Sequence, residues 1–279
     1  MPRPSIVAIA RATESPRNLI ITIYGAFVRD LGGSVTVAAL VRLLGELGID
    51  GAASRSAINR LKQQHLLERD ERHGRPGYVA SASLIELLRD GDERIFGSTH
   101  GAELTDGWLI VVFTVPESER DQRHLLRTRL HALGCAPMSP GVWIAPRRTE
   151  GDVRRMLVGL SLDRYVSMFV GDYVGFAELD RLAEAWDVAP LRRNYQRFIT
   201  RHRRAAARGV RSPAAAFSQY VPLLDGWRHL VFEDPGLPDA LTPHAELRRE
   251  AFELFGAAAQ ALAGSARQHV VETIAAGPG

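Results

Sequence analysis

The chain has 279 residues, of which 46% are hydrophobic and 24% charged, a composition that excludes a disordered or low-complexity protein. Its formal net charge is only +3, which excludes a general polyanion binder and limits any nucleic-acid contact to a local basic patch. The single cysteine excludes an internal disulfide, and no apolar run approaches the ~18 residues of a membrane span. We therefore expect a cytoplasmic protein.

The first predicted helix begins at Ser15-Pro16, after a tail over residues 1–14. Serine caps helix N-termini, and proline is favoured at the first helical position. Gly32-Gly33 interrupts the helix. Its apolar residues recur at helical spacing and should pack beneath the helices that follow. They are Leu19, Ile20, Ile23, Phe27 and Val28.

Residues 36–65 are predicted to form a helix, a tight turn and a second helix. Thr36 is a suitable cap for the first helix, and Gly48 ends it. The second helix, from Ala53 to His65, has apolar residues on one face and amide, hydroxyl and cationic residues on the other. Such a face suits a helix in the DNA major groove, where amides read base edges and cations contact phosphates. The candidate DNA contacts of this helix are Arg55, Ser56, Asn59, Arg60, Lys62 and Gln63.

A two-stranded hairpin is predicted directly after this helix. Gly74, Pro76 and Gly77 close it, and its tip exposes cations, as the wing of a winged helix does. We therefore add Arg72 and Arg75 to the candidate DNA contacts. The alternative is a helical hairpin whose polar face is exposed to solvent and binds nothing. The order of helix, glycine turn, cationic helix and basic hairpin favours a winged helix-turn-helix domain over residues 15–97.

A ferredoxin-like α+β domain is predicted over residues 104–176. A helix from Ala82 to Arg94 leads to a turn-rich boundary, after which strands and helices alternate. The predicted strands are Trp108–Val115, Val142–Ala145 and Val166–Val170, and the predicted helices are Glu117–Leu133 and Asp152–Leu160.

A mostly helical C-terminal domain is predicted over residues 177–275, so that the chain as a whole is of the α+β class. One helix is predicted from Leu191 to about Ala207 and a last one from Ala245 to Leu262. Proline-punctuated segments are expected between them, at residues 220–222, 232–238 and 242–243. The helix that begins at Leu191 carries an arginine stripe on one side, formed by Arg193, Arg197, Arg201, Arg204 and Arg208.

These features together resemble one family, the phenylacetic acid catabolism repressors (PaaX-type), which are related to winged-helix regulators. The likeness covers about residues 15–260. At His65 the family pattern has glycine, and near residue 245 a Trp-Pro-Gly-like element is missing. The segments that carry the resemblance are Ser15 to Gly25 with Gly32-Gly33, Arg55 to Leu61, Trp108 to Pro116 with Gly141 to Ile144, and Phe232 to Pro238.

The resemblance implies a dimeric transcriptional repressor of a catabolic operon that leaves its operator when it binds an acyl-CoA, phenylacetyl-CoA in the type members. The expected partners are double-stranded DNA, a small-molecule effector and a second copy of the chain, with no membrane. The arginine stripe is a candidate binding site for the phosphates of the effector, because a guanidinium group can donate two hydrogen bonds to one phosphate. Trp186, Tyr195 and Phe198 are expected nearby for the acyl or adenine group. The alternatives are that the stripe is a solvent-exposed helix face without a ligand or a second DNA contact.

The middle domain also resembles the CRISPR-associated ferredoxin-like endonucleases, which raises a metal-dependent nuclease as an alternative. Those enzymes need an acidic residue at the end of the first strand, whereas this strand reaches Pro116 without a carboxylate. The chain also has no Walker-type phosphate loop, because its only lysine is Lys62. We expect no enzyme activity, metal or cofactor and interpret the domain as a fold used for dimerisation. A protein-interaction adaptor that never meets DNA is a further alternative.

Overall fold

The computed structural model of the protein describes residues 14–31, 33–70, 77–97, 101–174, 182–207 and 209–276. Helices dominate and accompany two small antiparallel sheets, so the predicted α+β class is confirmed. The chain divides into two compact units, each described below by itself. The first unit contains the described residues of Ser98–Gln196 and Leu230–Glu250, and the second those of Ile9–Gly97, Arg197–His229 and Ala251–Gly279. The three-domain division at 15–97, 104–176 and 177–275 stays a prediction.

Helix α1 spans Pro16–Ile23 and begins as predicted. The Ser15 hydroxyl accepts the backbone N–H of Asn18 at 3.2 Å, which satisfies one of the free donors at the helix start. The helix continues as a π-helical segment, Tyr24–Val28, and a 3-10 turn, Arg29–Leu31. Its predicted apolar stripe is fully buried, so α1 is a core element of the second unit.

Helices α2 (Val37–Glu46) and α3 (Gly51–Gln63) form the helix-turn-helix. Thr36 caps α2 as predicted, by accepting the N–H of Ala39 at 3.2 Å. Gly48 follows the end of α2 with a φ of +83°. Glycine adopts this left-handed conformation without steric cost, which allows the tight turn into α3.

A three-stranded antiparallel sheet follows the helix pair. Its strands are β1 (Val35–Thr36), β2 (Leu67–Asp70) and β3 (Gly77–Ala80), in the order β1-β3-β2. Strands β2 and β3 are the two sides of the predicted wing, and residues 71–76 between them lie outside the described residues. Helix α4 (Ala82–Phe96) comes next, close to its predicted bounds.

The first unit contains a four-stranded antiparallel sheet of ferredoxin-like topology. Its elements are β4 (Trp108–Phe113), α5 (Arg120–Ala132), β5 (Ala136–Ser139), β6 (Val142–Pro146), α6 (Glu150–Gly159) and β7 (Val166–Gly171). The strand order is β5-β6-β4-β7. Strand β5 is missing from the sequence prediction because it is short and contains Pro137. Proline is tolerated there since an edge strand has no partner on one side.

One face of this sheet packs against α5 and α6. The predicted inward leucines of α5, including Leu126 and Leu130, are buried in that core together with Trp143 and Val153. Cys135 lies in the same core and is 1% exposed. Burial raises the pKa of its thiol to about 12.

The opposite face of the sheet is only partly covered. Trp108 and Ile144 are covered there by Trp186 and Leu237. Four further apolar residues of this face are exposed or half-buried. Strand pairing makes them neighbours, because Val112 lies opposite Val142 and Ile110 lies opposite Phe169. We call them the open-face patch, which consists of Ile110, Val112, Val142 and Phe169.

Three long helices complete the described chain: α7 (Ala189–Ala207), α8 (Pro213–Glu233) and α9 (Ala245–Ala275). The prediction of a proline break at residues 220–222 is wrong, because Pro222 lies inside α8. Its ring removes one backbone donor, yet the buried side chains on both sides of it keep the segment helical. Helix α9 extends past Leu262 because Ala266 and Val270 continue its buried stripe.

Candidate nucleic-acid interface

Helix α3 begins at Gly51, slightly before the predicted Ala53, because Asp50 caps it. Asp50 Oδ1 accepts the N–H groups of Ala52 and Ala53, both at 2.9 Å. The anionic cap also lies at the positive end of the helix dipole. This start is therefore stabilised both by hydrogen bonds and by charge.

The two faces of α3 differ as predicted. Ala57, Ile58 and Leu61 are buried on the inward face, against which α1 packs. The outward face carries all the α3 residues predicted to contact DNA, and each is exposed. They are Arg55, Ser56, Asn59, Arg60, Lys62 and Gln63.

Two of these side chains have contacts within the protein. The Lys62 ammonium lies 5.4 Å from the ring centroid of Tyr78 on β3, a cation–π distance that directs it toward the wing. The Arg55 guanidinium donates to the carbonyl of Gly51 at 3.2 Å. Because that bond is exposed, its loss on contact with DNA costs little.

The C-terminal end of α3 is a Schellman motif built on His65. The N–H of Leu66 donates to the Leu61 carbonyl at 2.9 Å, and the N–H of His65 donates to the Lys62 carbonyl at 2.9 Å. His65 has a φ of +54°. The glycine of the family pattern would occupy this left-handed position without strain, which explains why that pattern has glycine here.

Arg17 is a site residue that sequence reasoning missed. Its Nε and Nη2 both donate to Oε1 of Gln64, at 3.3 Å each. Gln64 is the C-cap of α3, so Arg17 connects α1 to the end of the candidate recognition helix. No local pattern signals this contact, because the two residues lie far apart in sequence.

The wing is described only at its base. Arg72, His73 and Arg75 lie outside the described residues, so their role in DNA binding stays a prediction. Glu68 and Arg69 are exposed on β2, on the way to that tip.

The arginine stripe lies on one exposed face of α7. Arg193, Arg197, Arg201 and Arg204 are all exposed there, whereas Arg208 lies outside the described residues. Arg201 forms an ion pair with Glu14.

The three aromatic rings expected beside the stripe are not available to a ligand there. The Tyr195 hydroxyl donates to Asp234 at 2.8 Å, and the Trp186 indole donates to the carbonyl of Gly134 at 2.7 Å. Phe198 is buried with its ring near Trp227. Tyr195 and Phe198 lie on the buried side of α7, and Trp186 precedes that helix and is also buried. The expectation that these rings lie beside the stripe for an acyl or adenine group is therefore wrong.

Within the described ranges, no group of three or more His, Cys, Asp or Glu side chains is placed to hold a metal ion. None of the helices in the described part of the chain is long and apolar enough to cross a bilayer.

Three protein-family descriptions match successive parts of the chain. Residues 15–84 match the family described as "PaaX-like protein", and residues 101–183 match "PaaX protein central Cas2-like domain". Residues 186–272 match "PaaX-like protein C-terminal domain". The chain belongs to the PaaX family. The predicted resemblance is thereby confirmed over nearly the whole chain.

Two individual proteins are similar to this chain. The transcriptional repressor PaaX of Escherichia coli (strain K12) is 25% identical over 249 residues, which cover 85% of this chain and 77% of that protein. The solved structure of the uncharacterized protein Rv0674 from Mycobacterium tuberculosis is 21% identical, with a TM-score of 0.57, and the match covers 92% of this chain and 99% of that one. The structural likeness shows the shared fold. The named relative is a regulator of transcription, and neither comparison supports the nuclease alternative.

Proposed function

We propose that this chain is a DNA-binding transcriptional repressor of a catabolic operon, and not an enzyme. The observation that carries the proposal is the outward face of α3, which presents six exposed polar and cationic residues on a capped helix whose other face is buried. Membership of the PaaX family and the repressor from Escherichia coli support this role.

In this proposal α3 enters the major groove. Asn59 and Gln63 are suited to base edges, since an amide offers both a donor and an acceptor to adenine, and Arg55 is suited to guanine or to a phosphate. Arg60 and Lys62 contact the backbone at the rim of the groove, and Arg72 and Arg75 of the wing contact phosphates or the minor groove. These contacts need no conformational change in α3, because its six side chains are already exposed.

The replacement of Asn59 by alanine tests base reading. Each good base contact contributes ~1–3 kcal/mol to discrimination, so N59A should lower the preference for operator over unrelated DNA by about tenfold. Fluorescence anisotropy with fragments from upstream of the protein's own gene measures this. R127A, at an exposed position on α5, is the control and should bind as wild type does. If wild-type protein binds none of these fragments at low salt, the proposed function is rejected.

We further propose that the repressor is a homodimer formed through the ferredoxin-like domain. The open-face patch supports this, because exposed apolar groups on a sheet face gain free energy when a second copy covers them. A two-fold dimer also suits an operator with two similar half-sites.

We propose an acyl-CoA such as phenylacetyl-CoA as the effector that releases the operator, bound in part by Arg193, Arg197, Arg201 and Arg204. Four exposed guanidinium groups on one helix face support the binding of phosphates. Isothermal titration with phenylacetyl-CoA should give at least tenfold weaker binding for R197A/R201A than for wild type. R127A/R154A removes two exposed arginines elsewhere and should change nothing. Equal affinities for wild type and R197A/R201A would remove the stripe from the effector site.

A further inference from the structure

Asp225 is a buried carboxylate that ties α8 to both ends of α1. Its side chain is 1% exposed. Oδ2 accepts the backbone N–H of Glu14 at 2.8 Å. Oδ1 accepts the hydroxyl of Thr22 at 3.2 Å and the guanidinium of Arg228 at 2.6 Å. Both oxygens are therefore satisfied, and two of the three donors belong to α1 or to the residue that precedes its cap.

Helix α1, which Asp225 holds through Thr22, also contacts the recognition helix through Arg17. Arg17 donates twice to Gln64 at the end of α3. Burial, followed by the positive charge of Arg228, lowers the pKa of Arg17. The Arg228 charge therefore acts on Arg17, and Asp225 neutralises part of that charge. Helix α1 itself connects the two sites, because its Thr22 contacts Asp225 and its Arg17 contacts Gln64.

Glu14 joins this network to the arginine stripe. Its φ of +57° is a left-handed conformation, which a residue with a side chain adopts only when its surroundings hold it there. Among the described residues, two contacts hold it: the N–H bond to Asp225 and the ion pair with Arg201. Arg201 is also a candidate effector residue, so Glu14 and a bound phosphate compete for one guanidinium.

We propose that Glu14, Asp225 and Arg17 position the recognition helix, and that a phosphate-bearing effector weakens DNA binding by taking Arg201 from Glu14. The inference rests on the proposed function, since it assigns DNA to α3 and the effector to the stripe. Once Arg201 leaves, Glu14 loses the ion pair and keeps its backbone bond to Asp225, and the start of α1 loosens. Arg17 transmits this change to Gln64.

The coupling is modest in size, because the Arg201–Glu14 pair is exposed. Exposed ion pairs contribute little, so the removal of Glu14's charge should weaken operator binding about threefold. Coupling between two sites is reciprocal. E14Q should therefore bind phenylacetyl-CoA about threefold more tightly than wild type, because Arg201 no longer has to leave a carboxylate.

Hydrogen–deuterium exchange on the full-length protein tests the coupling without DNA. E14Q keeps the size of the side chain and removes its charge, and it should raise amide exchange in residues 15–23 and 61–66. E253Q, at an exposed position of α9, is the matched control and should leave both segments unchanged. Wild type with phenylacetyl-CoA should show the E14Q pattern. Unchanged exchange of residues 61–66 in E14Q overturns the proposal.

Operator binding separates this inference from the proposed function. If phenylacetyl-CoA releases wild type and E14Q from the operator with equal efficiency, the route through Glu14 is wrong while the proposed function stands. If wild type binds no operator, the proposed function fails, and the exchange of residues 61–66 in E14Q still decides whether Glu14 controls the end of α3.

Discussion

His202 is a buried imidazole beside a cation. Its side chain on α7 is 6% exposed, and its ring centroid lies 4.5 Å from that of Phe198. Burial, followed by the charge of Arg201, lowers the pKa of His202 to about 4. Histidine in an unfolded chain titrates near ~6.5. The stability that the neutral ring confers is therefore fully present above pH ~6.5 and is lost as the pH falls toward the folded pKa.

The free energy of unfolding should accordingly fall between pH 7 and pH 4.5 by roughly 2–3 kcal/mol more in wild type than in H202Q, because glutamine binds no proton. Urea unfolding followed by circular dichroism at a series of pH values measures the difference. H124Q, at an exposed position of α5, is the matched control and should follow wild type. Parallel profiles for wild type and H202Q would contradict the assignment.

At the scale of single residues, the sequence predicts exposure better than it predicts partners. Helical periodicity alone places Asn59 and Gln63 outward and Leu61 inward, since each face of a helix repeats every three to four residues. The contact of Glu14 with Asp225 joins residues 211 positions apart. Only folding brings such residues together, so local sequence patterns do not predict that they are in contact.

The end of helix α3 offers a test at the scale of an element. His65 holds a left-handed conformation that glycine adopts without a Cβ clash, so H65G should raise the free energy of unfolding by about 1 kcal/mol. H65A removes the same imidazole but keeps the Cβ, and it should give no such gain. Chemical denaturation of the three proteins at neutral pH measures the effect. Equal stability of H65G and H65A would show that the backbone at residue 65 is not strained.

Helix starts are the elements that the sequence predicts best, because their signals are local. Ser15 and Thr36 each accept an N–H of the first turn as their residue type predicts. Proline is a less reliable signal, because it hid the edge strand at Pro137 and suggested a helix break at Pro222. Pro137 sits in an edge strand, where the missing donor has no partner to lose, and Pro222 sits inside a helix that burial sustains.

The whole molecule is expected to be a dimer, and the open-face patch gives that expectation a test. Phe169 is 57% exposed, so F169E should leave the fold of the single chain intact while it places a charge where a second copy would pack. Analytical ultracentrifugation should find wild type as a dimer and F169E as a monomer at micromolar concentration. V158E alters an exposed valine of α6 and should remain a dimer. A dimeric F169E would place the interface elsewhere.

The class and family of the molecule follow from the order of its motifs, whereas the make-up of its compact units does not. Strand and helix patterns suffice for an α+β chain, and the segments around Ser15, Arg55 and Trp108 suffice for the family. Nothing local shows that residues 197–229 belong to the same unit as the helix-turn-helix. That grouping depends on contacts such as Thr22 with Asp225, which form only on folding.

The position of Cys135 makes the protein simple to label. It is the only cysteine of the chain. Its thiol is buried and its pKa is raised, so a maleimide dye should not react with it at neutral pH. A cysteine introduced at Glu68, which is exposed on β2, would then take a single fluorophore without removal of the native one. Arrival at and departure from an immobilised operator could be followed molecule by molecule in an otherwise unaltered repressor.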